Sequence, residues 1–213
     1  VTTDKVYEET DDNIWGYREI DRLNGFEPYS NSKSCSELVT ASYYRSFLKS
    51  KCISVSTARA GNVIGGGDTS KDRIIPDCVR AAVNGETIVL RNPNSVRPYQ
   101  HVLEPLFAYL LITSSGVSDN FNVGPNDDSC VTTGELTDLF CNAWGGVSWE
   151  KTAEKGVREA GFLKLDNSKI KSELDFSPKW DIKTAVQKTV EWEKANLAGI
   201  DITESQIKEY FRL

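Results

Sequence analysis

Methionine is absent from all 213 residues, and the chain opens in mid-pattern on Val1-Thr2-Thr3-Asp4. The expectation is a piece of a longer protein. Histidine is nearly absent: His101 stands alone, and neither Cys-x-x-Cys nor His-Glu-x-x-His occurs, so no zinc site is expected. No apolar run approaches the ~18 residues of a membrane-spanning helix, and no basic-then-apolar leader opens the chain. Asn-x-Ser/Thr is missing, and the five cysteines (Cys35, Cys52, Cys78, Cys130 and Cys141) are odd in number and scattered. Both features fit a reducing, cytoplasmic compartment. A basic surplus is missing too: 25 Lys and Arg against 31 Asp and Glu leave a net charge of −6, the wrong sign for a nucleic-acid partner.

What is present is an alternation of strand-like and helix-like segments with no repeats and no low-complexity linker, the pattern of an α/β protein. Val1-Thr2-Thr3 reads as the end of a strand. Pro28 is placed to open a helix, and Cys35, Leu38, Val39, Ser42, Tyr43 and Phe47 recur at helical spacing. The alternating, β-rich stretch from Cys52 to Arg59 predicts a strand. Further helices are expected from Ile74 to Val83, from Pro105 to Ser114, after a Thr132–Glu135 capping box, from Ser168 to Leu174, over Ile182 to Trp192, and from Thr203 to Phe211. Short strands are expected at 87–90, 100–103, 121–123 and 148–150. Gly65-Gly66-Gly67 reads as a flexible connection, with a supporting role near phosphates as the alternative. His101 reads as a packed histidine, and the tryptophans as fillers.

Tyr29 and Lys33 are four apart at the start of a helix and therefore share one face. A phenol is a poor base at neutral pH, but a neighbouring ammonium favours its ionised form. Such a pair can take a proton from an alcohol or sugar hydroxyl. Thr3, at a strand end, can bond the same oxygen, and Asp4 and Lys5 follow as an acid and a base. Sites in open α/β sheets lie outside the carboxyl ends of the strands. Because Thr3 and Lys5 alternate with Asp4, all three converge only if the strand ends or bends near Asp4.

Thr3-Asp4-Lys5-Val6-Tyr7, Gly16-Tyr17-Arg18-Glu19 and Pro28-Tyr29-Ser30-Asn31-Ser32-Lys33 resemble the extended short-chain dehydrogenase/reductase family, and within it the sugar-nucleotide 4,6-dehydratases. The resemblance continues through Arg59-Ala60-Gly61-Asn62-Val63-Ile64-Gly65-Gly66-Gly67-Asp68, Asp72-Arg73-Ile74-Ile75-Pro76-Asp77 and Arg97-Pro98-Tyr99-Gln100-His101-Val102-Leu103-Glu104-Pro105. It covers nearly the whole chain, most loosely after about residue 126. Thr69 and Tyr99 stand where the pattern has tryptophan. The family's Gly-rich dinucleotide turn is not in this sequence.

The resemblance implies the C-terminal part of a Rossmann-type, doubly wound parallel sheet (1–64, with 104–124 returning to it) and a smaller α/β substrate-binding lobe (65–213). It implies NAD as cofactor and, from Lys5, CDP-glucose as substrate. Tyr29 would take the C4 hydroxyl proton, Lys33 would bind the nicotinamide ribose, and Thr3 would orient the C4 oxygen. Asp4 would be the acid for the leaving C6 hydroxyl. Lys5 would be the base at C5, with burial and nearby Lys33 lowering its affinity for a proton. Val63 would lie by the nicotinamide. Asn62, Arg73, Arg97, Asn122 and Arg158 would contact substrate. A homodimer through the Tyr29 helix is implied, as is inactivity of these 213 residues on their own. Two alternatives stay open: a UDP-sugar epimerase or decarboxylase of the same fold, and a non-catalytic sugar-nucleotide-binding remnant.

Overall fold

The computed structural model describes residues 1–10, 15–152 and 163–213. Three parallel strands, β1 (Thr2–Thr3), β2 (Thr57–Ala60) and β6 (Asn120–Val123), form one sheet in the order β1-β2-β6. All four residues of β2 are buried, as a central parallel strand requires. Helix α1 (Pro28–Tyr43) packs on β1 and the turn that follows it. Ala58, Ala60, Phe121 and Val123 form a core with Ala108 and Ile112 of α3 (Leu103–Ser115), Ile170 of α5 (Ser168–Leu174) and Phe176.

The chain leaves this sheet at Gly61, which alone separates β2 from β3 (Asn62–Ile64). A Cβ on Gly61 would lie 2.8 Å from Pro98 Cγ, so the crossover needs a glycine. β3 runs parallel to β5 (Val96–His101), which pairs antiparallel with β7 (Cys130–Thr132). A third, two-stranded parallel sheet joins β4 (Ile88–Leu90) to β8 (Trp149–Lys151). A second core collects Ile64, Ile75, Cys78, Leu90, Tyr99, Leu136, Phe140, Val186 and Val190. It lies among α2 (Ile74–Asn84), α4 (Thr133–Trp144) and α6 (Ile182–Leu197). Helix α7 (Thr203–Phe211) closes the chain. Glu104, fully buried, accepts from Tyr210 Oη at 2.7 Å and from the backbone N–H groups of Lys179 and Trp180. No helix among the described residues is long and apolar enough to cross a membrane.

Most expected elements are present, and the capping box forms as read: Thr132 Oγ1 accepts from Glu135 N at 3.1 Å while Glu135 accepts from Thr132 N at 2.8 Å. Three readings change. The strand expected from Cys52 begins only at Thr57, because Cys52 is left-handed (φ 55°) and Ser54 and Ser56 bond the carbonyls of Gly116 and Val117. Leu103, expected at a strand end, opens α3. The apolar stripe of α1, which periodicity alone assigned to no side, points outward: Leu38, Val39 and Tyr43 are exposed, as is Phe47 in the turn that follows, while the buried residues of α1 are Ser30, Ser34 and Glu37. The glycine run is not loose. Gly66 lies against Trp192, and Gly67 N donates to Glu193 Oε1 at 2.8 Å.

Candidate active site

β1 ends at Thr3, and the chain turns at once into a single 3-10 turn, Asp4–Val6. This is the bend that the alternation of Thr3, Asp4 and Lys5 demanded. Thr3 Oγ1 accepts from Lys5 N at 3.4 Å, capping the turn, and donates to Asp4 Oδ1 at 2.9 Å. Asp4 is 2% exposed and its Oδ2 has no hydrogen-bond partner. Burial pushes its carboxyl up to about 6, against the opposing pull of the Thr3 hydrogen bond and the charges of Lys5 and Arg97. A carboxyl so placed retains its proton into the mildly acidic range and can act as an acid. Lys5 differs from expectation: it is exposed, and Asp4 takes the buried position beside it.

Glu27 caps α1, its carboxylate accepting from Tyr29 N at 2.8 Å and Ser30 N at 2.9 Å. Pro28 fits the first helical position, where no N–H is needed. Tyr29 projects outward, 52% exposed, and Lys33 Nζ lies 5.6 Å from its ring centroid. The expected pairing along one helix face is therefore made. Ser34 fastens the helix start to the turn after Thr3 by donating to Val6 O at 2.7 Å and accepting from Gly25 N at 3.0 Å.

The remaining candidates are spread over both cores. Val63, on β3 just past the crossover, is exposed, and Asn62 beside it is half-buried opposite Tyr99. Arg97 is buried on β5, its Nη1 donating to Val96 O at 2.8 Å, and its charge reaches Asp4. Arg73 is exposed at the start of α2. Arg158 lies outside the described residues. Asn122 is turned into the fold. It is fully buried, its Oδ1 accepts from Tyr7 Oη at 2.6 Å, and its Nδ2 donates to Tyr17 O and Asp166 O. Both ends of the amide are spent on holding the loop after β1 against β6. His101 is buried as read, with Nδ1 accepting from Leu103 N and its ring edge-on to Trp180. Burial lowers it to about 4, so it is neutral at physiological pH.

The sequence reading missed a polar network behind the site. Glu37 pairs with Arg59 through two hydrogen bonds, and Arg59 Nη1 donates to Tyr7 Oη at 2.8 Å. Tyr7 stacks on Tyr17 with centroids 5.0 Å apart. A carboxylate one turn beyond Lys33 and an arginine inside a β-rich run were the available signals. Two open depressions of about 480 and 440 Å³ lie elsewhere, lined around Trp15, Tyr17 and Asp166; neither is lined by Thr3, Asp4, Tyr29 or Lys33.

A family model described as GDP-mannose 4,6 dehydratase matches residues 1–189. CDP-glucose 4,6-dehydratase of Salmonella typhimurium is 38% identical over 99% of this chain, which spans 62% of that relative's length. A crystal structure of dTDP-glucose 4,6-dehydratase from Bacillus anthracis in complex with NAD superposes with a TM-score of 0.79 at 23% identity, over 93% of this chain and 62% of that one. UDP-glucose 4-epimerase from Thermotoga maritima superposes with a TM-score of 0.80 at 20% identity, over 92% of this chain and 62% of that one. Those two likenesses establish the Rossmann-type fold. The family-model match, spanning the strand-end turn, the tyrosine–lysine helix and both cores, assigns this chain to the GDP-mannose 4,6 dehydratase family.

Proposed function

We propose that this chain carries the acid–base half of a nucleotide-sugar 4,6-dehydratase that converts CDP-glucose to CDP-4-keto-6-deoxyglucose. The observation that carries this reading is the turn at the end of β1, where a hydroxyl and a buried carboxyl held near about 6 lie against the helix of Tyr29 and Lys33. The 38% identity to a CDP-glucose enzyme favours CDP over other bases. The first core is then the end of the dinucleotide domain and the second is the substrate lobe.

NAD fits as cofactor, because the exposed Tyr29 and Val63 and the half-buried Lys33 offer a phenol, backbone and an ammonium toward a nicotinamide riboside. When bound, NAD would supply a reversible hydride acceptor, taking hydride from C4 and giving it back at C6. Thr3 orients the C4 oxygen and Tyr29 removes its proton, with Lys33 Nζ beside the Tyr29 ring. The resulting 4-keto group acidifies C5–H. Lys5 takes that proton, Asp4 gives one to the C6 hydroxyl, which leaves as water, and Lys5 then returns its proton to C5 as C6 regains the hydride, which gives the 4-keto-6-deoxy sugar. The buried, unpartnered Oδ2 suits Asp4 to the role of acid. Arg97, Arg73, Asn62 and Arg158 are the proposed contacts to diphosphate and sugar, Arg97 foremost for its planar fork. The exposed face of α1 bearing Leu38, Val39 and Tyr43, continued by Phe47 just beyond it, is the proposed dimer surface, and the compartment is proposed to be the cytoplasm.

The test uses the full-length protein with CDP-glucose, assayed for the 4-keto product and for solvent deuterium at C5. Lys5→Ala should still transfer hydride but stall before water loss. A product retaining C6–OH, with inversion at C4, would favour the epimerase reading instead.

A further inference from the structure

Helix α1 carries the proposed base, yet it is not seated by apolar packing. Its buried residues are Ser30, Ser34 and Glu37, while Leu38, Val39 and Tyr43 face outward. Glu37 is 3% exposed and binds two strands at once. It accepts from Thr2 Oγ1 on β1, and on β2 from Thr57 Oγ1 at 2.8 Å, Arg59 Nε at 3.0 Å and Arg59 Nη2 at 3.1 Å. Thr2 is the residue before Thr3. Arg59, 1% exposed, spends its remaining Nη1 on Tyr7 Oη and on Glu19 O at 3.1 Å. One carboxylate and one guanidinium therefore tie together α1, β1, β2 and the loop after β1.

Burial pushes the Glu37 carboxyl up, but the hydrogen bonds from Arg59 and Thr2 and the charge of Arg59 outweigh it and hold the group below its ordinary value. Stability alone does not call for this arrangement, since well-packed apolar residues serve a buried position as well as an ion pair does. What an ion pair adds is direction. Hydrogen bonds weaken steeply away from their preferred length and angle, whereas apolar surfaces slide. Glu37 lies about 12 Å along the helix axis from Tyr29 and about 6 Å from Lys33, at 1.5 Å per residue.

We propose that Glu37 and Arg59 are positioning residues: their buried pair fixes the seat of α1 on β1 and so sets Tyr29 and Lys33 relative to Thr3. The proposal rests on the reading that Tyr29 and Lys33 act on substrate. A displacement of about 1 Å in such a site can cost on the order of 10²-fold in rate.

The test compares Glu37→Asp and Glu37→Gln in the full-length, NAD-loaded protein with Phe140→Leu, a destabilising change in the second core. Glu37→Asp keeps the charge but shortens the arm. Its kcat for CDP-glucose should fall at least tenfold with KM within twofold, while its circular dichroism stays native. Phe140→Leu, with an equal or larger loss in thermal midpoint, should keep kcat within twofold. Glu37→Gln should fall at least as far as Glu37→Asp. Wild-type-like kcat in a folded Glu37→Asp, or a parallel fall of kcat in Phe140→Leu, overturns the positioning role. Inactivity of the wild-type protein on every nucleotide hexose instead overturns the Tyr29 assignment, and this proposal with it.

Discussion

Gly66 lies directly under the indole of Trp192: a Cβ built on it would sit 2.2 Å from ring atom Cδ2. The neighbouring Gly67 has φ +83° and is tied to Glu193 through its N–H. The Trp192 indole N–H in turn donates to Thr203 Oγ1 at 2.8 Å, where α7 begins. The glycine run is thus a closely packed seam between β3 and the last two helices.

Gly66→Ala should therefore destabilise the protein by about 1–3 kcal/mol, the usual cost of overpacking. In a Trp192→Ala background the same change should cost less than about 1 kcal/mol. Urea denaturation of the four members of this cycle measures the coupling. Equal costs in both backgrounds would show that the indole is not the obstacle.

Asp4→Asn should stabilise at neutral pH and not in acid. A carboxyl raised from 3.8 to about 6 on folding is penalised when ionised. The penalty is fully present above the folded value and disappears below the unfolded one. Its full size is about 3 kcal/mol, at 1.36 kcal/mol per unit. Denaturation midpoints of variant and wild type should differ at pH 7.5 and converge near pH 4. The same variant should lose dehydration, because an amide cannot supply the proton.

Tyr29→Phe in the full-length protein should lower turnover at least ~10²-fold while nucleotide-sugar affinity stays nearly intact, as when a general base is removed. Calorimetric binding and the 4-keto assay together check it. Near-normal turnover would remove Tyr29 from the chemistry.

Tyr210→Phe should cost about 1–3 kcal/mol, because it strips Glu104 Oε2 of its donor inside the fold. Amide hydrogen exchange should show α7 losing protection before the rest. Uniform exchange along the chain would mean that the helix is held by its aromatic contacts alone.

The local rules were legible wherever neighbours in sequence settle the outcome. The Thr132–Glu135 box, the proline at the start of α1 and the span of α7 follow from propensity and capping. The Tyr29–Lys33 pair was legible for the same reason, since four residues on a helix are one turn. The outward face of α1 was not. Periodicity shows that a stripe exists but not which side the fold covers, and here the covered side is polar. Glu37 and Arg59 were hidden because they are 22 residues apart and meet only through sheet geometry. The hydrogen bonds of Asn122 were hidden for the same reason: Tyr7 and Tyr17 are more than 100 residues away in sequence, and Asp166 is 44 away.

The strand order β1-β2-β6 also has a consequence for how the chain is assembled as it leaves the ribosome. Thr2 pairs with Arg59, and Arg59 with Asn122, so each parallel ladder waits for distant chain. α1 can form early, but the carboxylate of Glu37 has no cation until β2 is made, and β2 has no cover on its far edge until β6 follows. Closing such long loops is slow. In the interval the outward stripe of α1 and the bare edges of β2 are exposed together, as material for pairing with other chains. A chain that collapsed with Glu37 or Arg59 unmatched would bury a lone charge, a state far costlier than the native pair.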